Sequence, residues 1–321
     1  MSEIFRCALN TKNEILWCIV MLITIFIPTY NRAHTLTRTL ASIACQLYQD
    51  IEVIIIDDGS TDGTADIVTA WASKQPFPVI YRKQLNQGKF AAHNHALRIA
   101  SGELFLLLDS DDQLAPNIIS YIAEFWGLLS NEEKQTLAGI EGLCVDIDGE
   151  VVGSKYPIDF MISNYFEIRY FYHVGGDKKL ALRTDLVRTY PYPQFSGETF
   201  IRDDILWKRI SESYDTIYVN QPFQIVEYQK DGLSQTVFHN RVKNPQGFRY
   251  YYHEELGRES KLIPLAVRLD AYHRFIRYSL HCKIKLKQQW REVPSILVWL
   301  LMFPKGFFKY FSDRFRLKFL T

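Results

Sequence analysis

Cysteine is sparse and scattered in this chain of 321 residues: Cys7, Cys18, Cys45, Cys144 and Cys282 form no Cys-x-x-Cys pair. That argues against a zinc ribbon or a disulfide framework and fits a reducing compartment. Internal repeats and low-complexity tracts are absent, which excludes solenoid and fibrous classes. No apolar run reaches the ~18–20 residues a membrane-spanning helix needs. The run at residues 15–28 is about 14 long, lacks a signal-cleavage site and continues into a strand pattern, so it is not a signal peptide. The fold is expected to open at Met21, a candidate native start, with residues 1–20 an extension. Net charge is also nearly absent, at +1.

What is present is apolar mass. Hydrophobic content of 47% and aromatic content of 14% suffice for a substantial core, in one large domain with an appendage or in two. The neutral total hides a split. Residues 261–321 hold 13 Lys and Arg against Asp270, Glu292 and Asp313, leaving 24 bases against 33 acids elsewhere. A basic tail on an acidic body points to phosphate, in lipid or nucleic acid. No nucleic-acid motif accompanies it, which favours lipid and no nucleic-acid partner.

The first half alternates strand and helix patterns. Strands are predicted at 23–27, 51–56, 79–82 and 104–108, and helices at 33–45, 64–73 and 89–100. Leu36, Leu40, Ile43 and Leu47 carry the apolar spacing of the first helix. Buried strands alternating with helices imply a parallel α/β sheet, whose ligands gather outside the carboxyl ends of the strands. Later signals are less regular: helices at 118–129 and 202–211, and strands at 140–147 and 222–228. Helical, aromatic and basic residues dominate beyond about residue 244.

Three strands end in polar clusters. The strongest is Asp109-Ser110-Asp111-Asp112 after Leu104–Leu108. Carboxylates packed so closely are costly unless a cation or strong donors share the site. An all-oxygen set suits Mg²⁺ or Mn²⁺ bridging to a substrate diphosphate. A helix start favoured by acids is the plainer alternative. Asp57-Asp58-Gly59-Ser60 suits nucleoside hydroxyls or base N–H groups, although alone it also fits an ordinary loop. Pro28-Thr29-Tyr30-Asn31 is equally weak alone, and Asn86-Gln87-Gly88-Lys89 reads as a turn whose lysine would suit a diphosphate.

Together, Pro28-Thr-Tyr-Asn31, Asp57-Asp-Gly-Ser-Thr-Asp62, Asn86-Gln-Gly-Lys89, Ala92-His-Asn94 and Gly102-Glu103…Leu108-Asp-Ser-Asp-Asp112 resemble a family 2 glycosyltransferase. The resemblance implies a GT-A fold: α/β, with a mostly parallel central sheet flanked by helices. A catalytic domain over residues 21–243 would precede a helical, basic, aromatic-rich region over 244–321. It further implies a nucleoside-diphosphate sugar donor, UDP-linked by family frequency, a divalent Mn²⁺ or Mg²⁺, and inversion at the anomeric carbon. Donor-site residues would be Pro28, Tyr30, Asp57, Asp58, Asn86, Lys89 and Asp109, with Pro28 and Asp58 at the nucleoside. Asp109 and Asp111 would be the metal ligands, while Asp112 has the weaker claim and also suits a helix cap.

An inverting transferase needs a base for the acceptor hydroxyl. Family members carry it in an acidic block six residues before an Arg, which here gives Asp203 in Arg202-Asp203-Asp204…Arg209. Asp204 remains an alternative. Glu198 suits a structural or acceptor-facing place, His239 could complete a metal shell, and His93 or His95 could approach phosphate. The later blocks around Trp207, Gly232-Leu233-Ser234 and Asn240–Phe248 resemble transferases building bacterial surface polysaccharides on glycan or lipid-linked acceptors. The tail at residues 290–321, with aromatics among bases, would then contact the inner face of the cell membrane from the cytoplasm. A sugar-nucleotide pyrophosphorylase would show a Gly-rich, Arg-containing loop after the first strand, where Pro28–Arg32 stands instead. An inactive scaffold is opposed by the intact acids at Asp58, Asp109, Asp111 and Asp203.

Overall fold

The computed structural model describes residues 21–227 and 237–318. The extension at 1–20 and the Gly232-Leu233-Ser234 block lie outside the described residues. Four of the nine strands form a continuous parallel block: β1 (Ile23–Thr29), β2 (Ile51–Asp57), β3 (Val79–Lys83) and β4 (Leu104–Leu107), in the order β3-β2-β1-β4. Every position of β1 and β2 is buried, which is why their isoleucine-rich runs show no alternation. Helices α1 (Ala33–Ala44), α2 (Thr64–Ala72) and α3 (Lys89–Ile99) make the crossovers. α1 buries Leu36, Leu40 and Ile43, but Leu47 lies beyond its end and is exposed, against the expected spacing.

The chain moves one way from β1 to β2 and β3, then returns to place β4 on the other side. That reversal leaves a crevice at the carboxyl ends of β1 and β4. The opposite edge is pinned. Glu52 accepts from Thr24 Oγ1 at 2.6 Å and from the amides of Ser101 and Gly102. A Cβ at Gly102 would lie 2.4 Å from the Thr24 nitrogen, so only glycine fits beside β1. Glu103 accepts from Trp126 Nε1 at 2.7 Å and pairs with Lys134. The Gly102-Glu103 motif is thus part of the frame.

Past β4 come β5 (Gln113–Leu114), α4 (Ile118–Gly127), α5 (Asn131–Thr136), β6 (Leu137–Val145), β7 (Phe160–Ser163), β8 (Lys178–Arg183), α6 (Thr184–Thr189), α7 (Asp204–Ile210) and β9 (Asp215–Ile225). The sheet continues β4-β8-β6-β9-β5, with β7 on β9 and antiparallel pairs entering at β4/β8. β9 begins well before the residue 222 expected from sequence. Pro222 sits inside it because its partner Leu143 lies at register shifts, where a missing N–H is tolerated.

Helices α8 (Val237–Lys243), α9 (Pro245–Gly257), α10 (Leu265–His281), α11 (Leu286–Arg291) and α12 (Ile296–Lys318) complete the described chain. Leu36, Ile55, Ile119 and Trp126 belong to the core on one sheet face. On the other, Phe26, Ile54 and Leu206 share a core with Phe248, Phe275 and Trp299, so α9, α10 and α12 pack onto the sheet's own interior. Among the described residues no helix is long and apolar enough to cross a membrane.

Candidate active site

A cleft of about 930 Å³ opens at the strand ends, lined among others by Pro28, Tyr30, Asp58, Asn86, Lys89, Asp109, Asp111, Asp112 and Asp203. Residues separated by 175 positions in sequence thus meet at one opening, because each follows the carboxyl end of a strand or begins a helix above the sheet.

Asp58 organises the wall after β2. Its Oδ1 accepts from Gln84 Nε2 at 2.9 Å and the Gln87 amide at 2.8 Å, and its Oδ2 from the Gly88 amide at 2.7 Å. One buried carboxylate therefore sets the turn that starts α3 and aims Lys89 into the cleft. Gly88 has φ 90°, and a Cβ there would lie 1.9 Å from the Thr199 carbonyl oxygen. The turn and the segment leading to Asp203 touch with no room for a side chain. Asp57 departs from the expectation. It is fully buried, absent from the cleft lining, and accepts from the Ser60 amide and Tyr81 hydroxyl, both at 2.6 Å. Its carboxylate is spent within the turn and on β3.

Lys89 Nζ lies 2.5 Å from Asp109 Oδ1. Burial works to discharge the ammonium, but Asp109 outweighs it and the Lys89 pKa rises. Burial likewise opposes the Asp109 charge, yet Lys89 and then Lys179 hold its pKa below the ordinary carboxylate value. Asp111 is pushed the other way, by burial and then by Asp109, and no ion pair among the described residues neutralises it. Asp112 is pushed up to about 7, by burial first and Asp109 second. It caps no helix: it accepts from Gln224 Nε2 and the Glu227 amide, tying the acidic loop to β9, while Asn117 precedes α4.

Among the described residues no three His, Cys, Asp or Glu side chains could hold a metal ion unaided. The donor set nevertheless fits a hard divalent cation. Mg²⁺ and Mn²⁺ need one or two carboxylates and take the rest of their shell from water and substrate phosphates. Asp111 offers an ion-pair-free carboxylate whose charge is disfavoured by its surroundings, and Asp109 keeps a second oxygen beyond the one facing Lys89.

The two acids at α7 have different fates. Asp204 is buried and receives Arg202 Nε and Nη2, both at 2.9 Å, and the Tyr251 hydroxyl at 2.7 Å, with Lys208 Nζ at 3.3 Å. Burial raises its pKa, but Lys208 and Arg202 overwhelm that and fix the charge. Lys208 continues to Glu255, and Arg258 joins Glu255 to Glu212. Asp203 stands at the N-terminus of α7, its carboxylate accepts only the Asp204 amide at 2.9 Å among the described partners, and it is exposed to the cleft. Surrounding protein first and the Asp204 charge second raise its pKa, partly offset by Lys89 and Arg202. Asp203 is therefore open and basic, whereas Asp204 is saturated.

Residues 24–129 match the sequence model of Glycosyl transferase family 2. Over those residues the chain is similar to that family, which supports a glycosyl transferase. A Haemophilus influenzae protein described as an uncharacterized glycosyltransferase is 28% identical, over 80% of this chain and 98% of its own length. An uncharacterized glycosyltransferase of Nostoc sp. is 38% identical, but over 32% of each chain. The Salmonella typhimurium abequosyltransferase RfbV is 36% identical, over 33% of this chain and 32% of its own. This chain thus spans about a third of the Nostoc and Salmonella relatives and nearly all of the Haemophilus one. Among solved structures, Staphylococcus aureus TarS 1–349 in complex with UDP-GlcNAc matches with a TM-score of 0.61 at 19% identity, over 89% of this chain and 80% of that one. The mannosyltransferase PcManGT of Pyrobaculum calidifontis, in complex with GDP-Man and Mn²⁺, matches with a TM-score of 0.53 at 20% identity, over 97% and 88%. These likenesses fix the fold.

In this glycosyltransferase the remaining singled-out residues are mostly structural. Glu198 accepts from the Gln246 and Gly247 amides at 2.7 and 2.8 Å, closing the start of α9. His93 is enclosed by Phe26, Phe105 and Tyr192, and burial lowers its pKa to about 3, so it is neutral. His95 meets Gln84 Oε1 at 3.0 Å. The His239 side chain lies outside the described residues. Several cleft residues escaped the sequence reading, among them Glu141, Arg169, Lys178 and Lys179. Lys179, on β8, is buried, donates to the Leu107 carbonyl at 2.7 Å, and its charge acts on Asp109 and Asp112. Only strand pairing brings it there, so no local motif marks it.

Proposed function

We propose that this glycosyltransferase moves a sugar from a nucleoside-diphosphate sugar, UDP-linked by default, to an acceptor hydroxyl with inversion. The observation that carries this reading is the placement of Asp203 in the same cleft as Lys89 and the Asp109–Asp112 loop, while Asp204 is locked away. Pro28, Tyr30 and Asn86 line the nucleoside and diphosphate side, with Asp58 shaping that wall. The complexes of TarS with UDP-GlcNAc and of PcManGT with GDP-Man and Mn²⁺ support a donor of this class.

Asp203 accepts the proton of the acceptor hydroxyl as that oxygen attacks the anomeric carbon and the nucleoside diphosphate leaves. Its raised pKa makes it a better base than an ordinary carboxylate, and its mouth position leaves it reachable by an incoming acceptor. Lys89 supplies fixed positive charge beside the departing diphosphate, and Lys179 adds a second positive charge to the acidic loop. A Mn²⁺ or Mg²⁺ bound at Asp111 and Asp109 would add Lewis-acid stabilisation of the leaving group. In this reading the acceptor is a lipid-linked glycan of a bacterial surface polysaccharide, met at the inner face of the membrane through residues 290–321.

The test is a thermal-shift and turnover screen of UDP-, GDP- and dTDP-sugars with and without Mn²⁺. A donor at 100 times its Kd stabilises by about 2.7 kcal/mol. One nucleotide class should raise the melting temperature in a Mn²⁺-dependent way and release its diphosphate. No shift and no release with any donor would overturn the reading.

A further inference from the structure

The strongest unassigned feature is the outer face of α12. The helix is fixed to α10 along one line. Trp299 is buried, a Cβ at Gly306 would lie 2.7 Å from the His273 carbonyl oxygen, and Asp313 receives Arg277 Nε at 2.6 Å and Nη2 at 2.5 Å, with His281 Nε2 at 2.9 Å. At about 100° per residue these three positions fall within roughly 20° of each other's mean line.

The opposite line is apolar and open. Leu297, Leu301 and Phe308 are 79%, 68% and 72% exposed, and Phe311 is also exposed. They lie within roughly 40° of a line diametrically opposite Trp299, Gly306 and Asp313. Lys305, Lys309 and Arg316 flank that stripe on one side and Arg314 and Lys318 on the other, all exposed. No carboxylate pairs with these five among the described residues. The one acid of the helix, Asp313, is turned inward and spent on Arg277 and His281. Next to this, on α11, Trp290 is partly exposed with its ring centroid 5.7 Å from that of Trp299, beside the exposed Lys287 and Arg291.

We infer that this face docks on an anionic lipid surface, with α12 lying in the plane of the interface. The inference rests on the membrane contact proposed above and deepens it by naming the face and the lipid charge. An apolar stripe between two basic edges matches acyl chains below and anionic headgroups at either side. A second copy of the chain would set bases against bases, with no exposed acid on the helix to answer them. Free phosphate would leave the stripe uncovered.

The experiment sediments the full chain with vesicles of phosphatidylcholine alone or mixed with phosphatidylglycerol. The expected result is binding to the anionic vesicles that weakens with salt. The Leu301→Glu/Phe308→Glu variant should lose on the order of tenfold in bound fraction, and Lys305→Glu/Lys309→Glu should lose the preference for anionic over neutral lipid. Both should keep the parent melting temperature and donor turnover in solution. A parent chain that stays in the supernatant, or a Leu301→Glu/Phe308→Glu variant that binds like the parent, overturns the inference. Self-association of the parent that the same variant abolishes also overturns it, in favour of a second copy. Vesicle binding without any donor turnover would instead refute the transferase reading and leave the docking face standing.

Discussion

Replacing Asp203 and Asp204 one at a time by Asn should separate catalysis from stability. Asp203 gives its carboxylate one partner, the Asp204 amide, which Asn can still satisfy. Asp203→Asn should therefore melt within about 1 kcal/mol of the parent, the size of one hydrogen bond, while kcat for sugar transfer falls by about 10²–10⁴ through loss of the general base. Asp204→Asn removes the charge that holds Arg202 by two hydrogen bonds and faces Lys208 at 3.3 Å. Breaking a buried pair costs about 3–5 kcal/mol. The low end applies, because Lys208 keeps Glu255 at 2.7 Å. Melting curves give the stability term, and diphosphate release under saturating donor and acceptor gives kcat. An Asp204→Asn variant with parent stability and no turnover, beside a fully active Asp203→Asn, would refute the assignment.

Asp111→Ala should weaken Mn²⁺ binding measured by calorimetry in the presence of nucleoside diphosphate, and should drop turnover by at least 10² while leaving the melting temperature unchanged or raised, since a disfavoured carboxylate is removed. Lys179→Met should raise the donor KM by on the order of tenfold and cost about 1–3 kcal/mol of stability, because the Leu107 carbonyl loses its buried donor; unchanged kinetics would deny it a place in the site. The Asp313 pKa is lowered in the fold, with burial opposing and His281 and Arg277 prevailing. Its contribution should therefore be complete above its unfolded value of about 4 and vanish as pH falls through the lower folded value. The melting difference between the parent and Asp313→Asn should shrink over that window; a difference that persists there would contradict the pairing.

The cleft wall was legible because each of its parts is local. A buried strand, a turn and a helix start can be read from consecutive residues, and three of them on one sheet edge fix a cleft. What stayed hidden depended on distant partners. Asp203 and Asp204 are adjacent in sequence, and only Tyr251, brought over by α9, together with Arg202 and Lys208 decides which one is free. Asp57 and Asp58 reverse in the same way: the Tyr81 hydroxyl on β3 holds Asp57 inside. Lys179 had no motif at all, since its place comes from β8 running antiparallel to β4. The tail was readable as aromatic and basic, but which aromatics face outward followed from Gly306 and Asp313 meeting α10.

The contact between Gly88 and the Thr199 carbonyl bears on reactivity rather than packing. Thr199 lies on the segment that leads to Asp203, and Gly88 precedes Lys89, the lysine proposed to face the diphosphate. The proposed base and the proposed diphosphate lysine are thus gauged against each other by bare backbone, with no side chain as a shim. A methyl group at position 88 would have to push the base-bearing segment outward, and a displacement near 1 Å can cost about 10² in rate. On the proposed mechanism, the reach from donor to acceptor is measured by a residue that has nothing to contribute but its absence of bulk.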